Sequence, residues 1–225
     1  MSRLSAIFYW TIKTIAWPAT RTYVRLRVEG LQHVPPTGPA MVVANHVSFV
    51  DPIVLGSAFP RRIIFMITRP IYDLRRLTWF YHLMGTIPVA PDVPDPGAMK
   101  AALRVLHGGG IVGIFPEGQR MPDCNLGEGK SGAALLAART GVPVVPAAIV
   151  GAHQVMPVGA VFPRPRAVRV IFGDPIRFPA ISNRRPTRDQ LDAFAEQIMR
   201  SISGLMESDA GTGAGRETRR GSSIR

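Results

Sequence analysis

Two short segments carry residue types that could do chemistry. The first is Asn45-His46-Val47-Ser48-Phe49-Val50-Asp51, which follows the apolar run 39–44 and precedes Pro52-Ile53-Val54-Leu55-Gly56. A neutral imidazole at His46 can take a proton from an attacking hydroxyl. A carboxylate at Asp51 can accept from the other ring nitrogen, fixing the tautomer and stabilising the imidazolium. Helical residues advance by about 100° each, so five positions along one continuous helix would point the two side chains apart. His46 is therefore expected in a turn, with Asp51 in the first turn of the following helix, bent back toward it. Asn45 and Ser48 can brace such a turn through side-chain bonds to the backbone. The bland alternative is a hydrogen-bonded histidine beside a helix cap.

The second segment is Phe115-Pro116-Glu117-Gly118-Gln119-Arg120. Arg120 offers a forked donor set suited to phosphate oxygens. Gly118 permits close backbone approach and Pro116 stiffens the turn. Glu117 can accept from a substrate hydroxyl or orient Arg120. Here the alternative is a surface β-turn closed by an ion pair.

The elements that must position these residues alternate along the chain. Short apolar runs read as strands over 24–28, 40–44, 62–67, 86–89, 111–115, 144–150 and 167–172. Helical patterns fall at 52–58, 74–84, 96–107, 131–139 and 188–206. Such alternation predicts an α/β sandwich with a mainly parallel sheet. Both segments then follow strands, where sheets of this kind place their sites.

Composition narrows the class. With 225 residues the chain fits one domain with a sizeable core. Cys124 is the single cysteine, which excludes an internal disulfide and a multi-cysteine metal site. His33, His82, His107 and His153 lack ligand spacing, so no metal site is expected. A formal charge of +12 favours polyanions such as lipid headgroups or nucleic acid. Residues 4–17 are apolar and aromatic but split by Lys13, too short to span a bilayer. They read as a helix lying in the headgroup layer, with Trp10 and Trp17 at the interface, or as an ordinary docking helix. The expected organisation is an interfacial helix over 1–27, one domain over 28–206 and a disordered basic tail over 207–225.

Taken together, the two motifs resemble those of the 1-acyl-sn-glycerol-3-phosphate acyltransferases, also called lysophosphatidic acid acyltransferases. That family carries Asn-His-x-Ser-x-x-Asp and Phe-Pro-Glu-Gly-x-Arg, matched here at every fixed position. Its apolar Val-Pro-Val-Val-Pro-Ala block matches residues 142–147. Its Gly-x-Ile-Pro-Val-x-Arg block is matched by residues 85–90, but Pro91 stands at the arginine. The resemblance covers residues 30–180. It implies a glycerol-3-phosphate acyltransferase-like α/β sandwich, with His46 and Asp51 as catalytic residues. Asn45, Ser48, Glu117, Gly118 and Arg120 are the implied substrate-binding residues. It further implies a lysophospholipid acceptor, acyl-CoA or acyl-carrier protein as donor, no bound cofactor or metal, and no nucleic acid. The implied location is peripheral or monotopic, on the cytoplasmic face of the cell membrane. Pro91 leaves the acceptor open among this lysolipid, another lysolipid or glycolipid, and glycerol-3-phosphate, with Arg69 and Lys100 as alternative sources of charge. Apolar residues expected to hold the acyl chain include Trp79 to Tyr81 and the N-terminal helix. A different class of reading is a basic, non-catalytic protein that binds membranes or nucleic acid through its charge.

Overall fold

A computed structural model describes residues 3–91, 93–118, 126–157, 160, 162–180 and 185–217. Its centre is β2 (Ala40–Ala44), every residue of which is buried. Parallel β5 (Ile111–Ile114) and β6 (Val144–Val150) flank it. On the β5 side follow β3 (Ile63–Thr68) and β4 (Ile87–Val89), both parallel. On the β6 side, β7 (Arg169–Phe172) runs antiparallel to β6 and pairs in parallel with β1 (Arg27–Glu29). The sheet order is β1-β7-β6-β2-β5-β3-β4. Among the described residues, the β6–β7 pairing and an isolated bridge between Val144 and Ile176 are antiparallel, within the mainly parallel sheet expected from sequence.

Side chains alternate across a strand, so a strand covered on both faces must be apolar throughout. Val42 and Ala44 face one layer, against Val54, Leu55 and Phe59 from α2 (Asp51–Ala58) and its C-terminal cap. Met41 and Val43 face the other layer. There they meet α5 (Pro96–His107), α6 (Gly132–Thr140) and α8 (Arg188–Glu217), which contribute Leu106, Leu136, Ile198 and Ile202. Two short helices, α3 (Arg69–Tyr72) and α4 (Thr78–Met84), connect β3 to β4, and α7 (Ala152–Val155) follows β6.

The N-terminal segment forms α1 (Arg3–Thr22), packed on α2 and α4. Its seating is specific. The Ile63 amide donates to the Tyr9 hydroxyl (3.1 Å), and the Ser5 hydroxyl donates to the Leu83 carbonyl (2.8 Å). Arg62 donates to Ser5 Oγ (2.7 Å) and to the Met84 carbonyl (3.0 Å). The opposite face of α1 leaves Leu4, Ile7 and Ile15 in solvent. Docking and an exposed apolar face therefore coexist on one helix.

Several boundaries differ from expectation. The strand expected from residue 24 starts at Arg27, because Arg25 takes a left-handed conformation (φ 45°) that breaks extension. The helical stretch over 74–84 begins at Thr78, after a turn closed by Leu77 N to Leu74 O (2.7 Å). α8 continues through 207–217, which sequence had assigned to the tail. Extending a helix already packed over its first turns costs far less than starting one.

Candidate active site

Strand register brings the two motifs together. Val43 pairs with Ile114 across parallel strands, so the turns that leave β2 and β5 emerge side by side. His46 stacks on Phe115, with ring centroids 4.2 Å apart and planes 21° apart. Phe115 in turn stacks on Phe65 of β3 at 5.9 Å and 3°. The aromatic residue of the second motif thus holds the plane of the imidazole in the first. Close passage here needs Gly113, since a Cβ at that position would lie 2.5 Å from Ile63 and 2.7 Å from Phe65.

The expected bend occurs: Asp51 opens α2 and its Oδ2 turns back on the preceding turn. That oxygen lies 2.8 Å from His46 Nδ1 and accepts from the amides of Val47 and Ser48, both at 2.7 Å. With Oδ2 accepting at Nδ1, the tautomer carries its proton there, leaving Nε2 free to act as a base. Asp51 is fully buried, whereas the His46 side chain keeps 18% of its surface exposed.

Asn45 and Ser48, expected to brace this turn and, from the resemblance, to bind substrate, both bond to backbone. Pairing of β2 with β6 ends at Ala44 and Ala147. The Asn45 side chain extends that ladder by one rung, donating to the Ile149 carbonyl (3.0 Å) and accepting from its amide (2.7 Å). Ser48 Oγ donates to the Met156 carbonyl (3.3 Å). Both residues are buried, with these polar atoms paired to backbone.

In the second motif, Glu117 is buried and Gly118 takes a left-handed conformation (φ 71°). Arg120 and Cys124 lie outside the described residues. Lys130 reaches this turn. Its amide donates to the Pro116 carbonyl (2.9 Å), and its Nζ would lie 3.0 Å from a Cβ placed on Gly118. In sequence, Gly127-Glu128-Gly129-Lys130-Ser131 is only a faint match to a phosphate-binding loop, because the glycine that pattern needs six residues before Lys130 is Cys124.

His46 opens onto a groove of about 1350 Å³, walled largely by apolar side chains. Tyr9, Ile12 and Ala16 of α1, Ile53 and Gly56 of α2, and Phe80, Tyr81 and Met84 of α4 form one flank. Gly118, Lys130, Ser131 and Leu135 form part of the other. Of the aromatics expected to hold an acyl chain, Phe80 and Tyr81 line the groove while Trp79 points into solvent. Among described residues, the lysines and arginines on its wall are Lys13, Lys130 and Arg139, and neither Arg69 nor Lys100 is there. Burial lowers the Lys13 ammonium to about 8, and the group donates to the Phe59 carbonyl at the end of α2. Pro91 lies on the groove wall as well. The loop that follows it is closed by Asp95, which accepts from Ala98 N and Ala90 N (both 2.9 Å). Those two bonds, that from Ala98 first, hold the Asp95 carboxyl below its usual range.

No helix among the described residues is long and apolar enough to cross a membrane.

The chain is similar to several known proteins. A chloroplast 1-acyl-sn-glycerol-3-phosphate acyltransferase of Arabidopsis thaliana is 34% identical over 144 residues, 61% of this chain and 39% of that protein. The corresponding chloroplast enzyme of Brassica napus is 33% identical over 61% of this chain and 41% of its own length. The chain thus spans about two fifths of these two plant proteins. A Bacillus subtilis protein of the same name is 27% identical over 80% of this chain and 87% of its own. The crystal structure of the 1-acyl-sn-glycerophosphate acyltransferase from Thermotoga maritima superposes with a TM-score of 0.73 at 24% identity. It covers 92% of this chain and 81% of that one, and shares its fold. Residues 25–150, which contain both motifs, match the sequence profile of the family described as Acyltransferase, and the chain belongs to that family.

Proposed function

We propose that the protein transfers a fatty acyl group from an acyl thioester to the free hydroxyl of 1-acyl-sn-glycerol-3-phosphate, giving phosphatidate. One observation carries this reading: an imidazole held by Asp51 at Nδ1 lines a large, mainly apolar groove. As the acceptor oxygen attacks the thioester carbonyl, His46 Nε2 takes its proton. Collapse of the tetrahedral intermediate breaks the carbon–sulfur bond, and the proton passes to the departing thiolate. The products are a new ester and a free thiol. Asp51 steadies the imidazolium between these steps. The reaction as written uses no bound cofactor or metal.

Glu117, Gly118 and Arg120 are assigned to the acceptor's glycerol phosphate, joined by Lys130. The donor is acyl-CoA or acyl-carrier protein, and the acyl chain lies along the α1–α2–α4 flank. The same reading places α1 in the headgroup layer of a membrane, peripheral or monotopic on the cytoplasmic face, its Leu4–Ile7–Ile15 side toward lipid.

The test is release of free thiol from a long-chain acyl-CoA with 1-acylglycerol-3-phosphate, comparing wild type with His46→Ala. Acceptor-dependent release that the variant loses is the expected result. Equal release from both proteins sinks His46 as the base. Pro91 on the groove wall supports a second reading in which the acceptor is another lysolipid, a glycolipid or glycerol-3-phosphate. Running these acceptors in the same assay separates them. A non-catalytic basic protein predicts no thiol release with any acceptor or donor.

A further inference from the structure

The connection between β3 and β4 has an unusual outer surface. Instead of one continuous helix it breaks at Asp73–Leu77 between α3 and α4. The break leaves Leu74 47%, Leu77 41% and Trp79 58% exposed, with Arg75 and Arg76 exposed among them. Three large apolar side chains in six residues, interleaved with cations, are a poor choice for a surface that meets only water. Asp73 is the single acid between Arg69 and Met84, facing Arg69, Arg75 and Arg76 in the same stretch.

The segment adjoins the exposed face of α1. At about 100° per residue, Leu4, Ile7, Thr11 and Ile15 lie opposite the buried Ser5 and Tyr9. Trp10 and Trp17 edge that face on one side and Phe8 on the other. Phe8 packs edge-on against Trp79 (6.2 Å) and Phe80 (5.9 Å), so the exposed α1 face runs on into Trp79. Trp10, Trp17 and Trp79 are the three tryptophans of the chain, and all three are exposed here. Tryptophan favours the boundary between acyl chains and headgroups, and arginine favours anionic headgroups. The neighbouring Phe80 and Tyr81 turn the other way, into the groove.

We propose that the α3–α4 turn is a second membrane-contacting element: Leu74, Leu77 and Trp79 enter the headgroup layer of an anionic bilayer beside α1, with Arg75 and Arg76 on lipid phosphate. The proposal rests on the membrane-surface reading of α1 given above. It adds a second, separately testable contact, one that flanks the groove and presents its α4 wall to the lipid phase.

The tryptophan distribution supplies the test. The double variant Trp10→Phe/Trp17→Phe leaves Trp79 as the one indole reporter. It is mixed with phosphatidylcholine vesicles that contain or lack phosphatidylglycerol, and with vesicles of brominated lipid. Expected are cosedimentation with the anionic vesicles, a blue shift of Trp79 emission, and quenching by bromine near the headgroup end of the acyl chain. Cosedimentation with unchanged Trp79 emission overturns the proposal and leaves α1 as the contact. No cosedimentation overturns both. A second variant, Leu74→Ser/Leu77→Ser, guards against misfolding effects. It is expected to lose about tenfold in activity on vesicle-embedded acceptor, while thiol release with a water-soluble short-chain acceptor is retained. Equal retention with both acceptors, or equal loss with both, overturns the proposal.

Discussion

The turns that follow β2 and β5 are neighbours built on different plans. The first is tied to three other parts of the chain: Asp51 of α2 accepts three donors, Asn45 extends the β6 ladder, and Ser48 reaches Met156. The second is held by packing and by a returning strap: Phe115 between two rings, Gly118 in a left-handed conformation, and Lys130 across it. A group that must move a proton at a fixed atom benefits from over-determined geometry. A group that must grip a mobile headgroup benefits from long cationic side chains that can follow it. Under the proposed function, the contrast implies that His46 is preorganised before substrate arrives, whereas the headgroup side relies on the reach of Lys130.

The strongest way to break this contrast is to empty the first turn. His46→Ala is expected to lower kcat by about 10²–10⁴-fold, the range of a positioned general base, with far-ultraviolet circular dichroism unchanged. A loss under tenfold would mean that another group takes the proton. Asp51→Asn keeps an oxygen for the three donors but removes the charge facing the imidazolium. A fall approaching that of His46→Ala, up to about 10⁴-fold in kcat, with little change in KM is expected, because an amide can hold the wrong imidazole tautomer. A change confined to KM would assign Asp51 to binding instead. Asn45→Ala tests bracing without touching chemistry. It strands the buried amide and carbonyl of Ile149, at a cost of about 2 kcal/mol in a urea unfolding midpoint. Full stability in that variant would show that the β6 rung is replaceable.

How much of this was legible in sequence follows the same divide. The bend of Asp51 back to His46 was readable, because spacing and helix geometry leave one way for the two side chains to meet. The α/β sandwich was readable too, since β2 and β6 are apolar on both faces and could only be buried strands. The antiparallel β7 was not, because nothing in Arg-Val-Ile-Phe distinguishes antiparallel from parallel pairing inside a sheet. That Asn45 and Ser48 brace the turn was readable from their residue types, but which backbone atoms they bond was not. Their true partners, Ile149 and Met156, lie more than a hundred residues away and are backbone atoms, which leave no trace in sequence. Phe115 was part of a motif, yet its stacking on His46 depends on the Val43–Ile114 register.

Lys130 offers the smallest effect and the sharpest test of the second turn. It lies on the groove wall above Gly118, while the position where the family block has arginine holds Pro91. If headgroup charge comes from this lysine, Lys130→Met should raise KM for the phosphate-bearing acceptor by about five- to tenfold, as expected for one exposed ion pair to phosphate. kcat should stay near wild type, because the base and its carboxylate are untouched. The increase should shrink as salt rises, since screening weakens the wild-type contact that the variant lacks. Lys130→Arg should restore most of the affinity. If Lys130→Met instead lowers kcat at constant KM, the lysine acts on the reacting carbonyl rather than the headgroup. The two turns would then share the chemical step, and the contrast between a fixed base and an adaptable grip would fail.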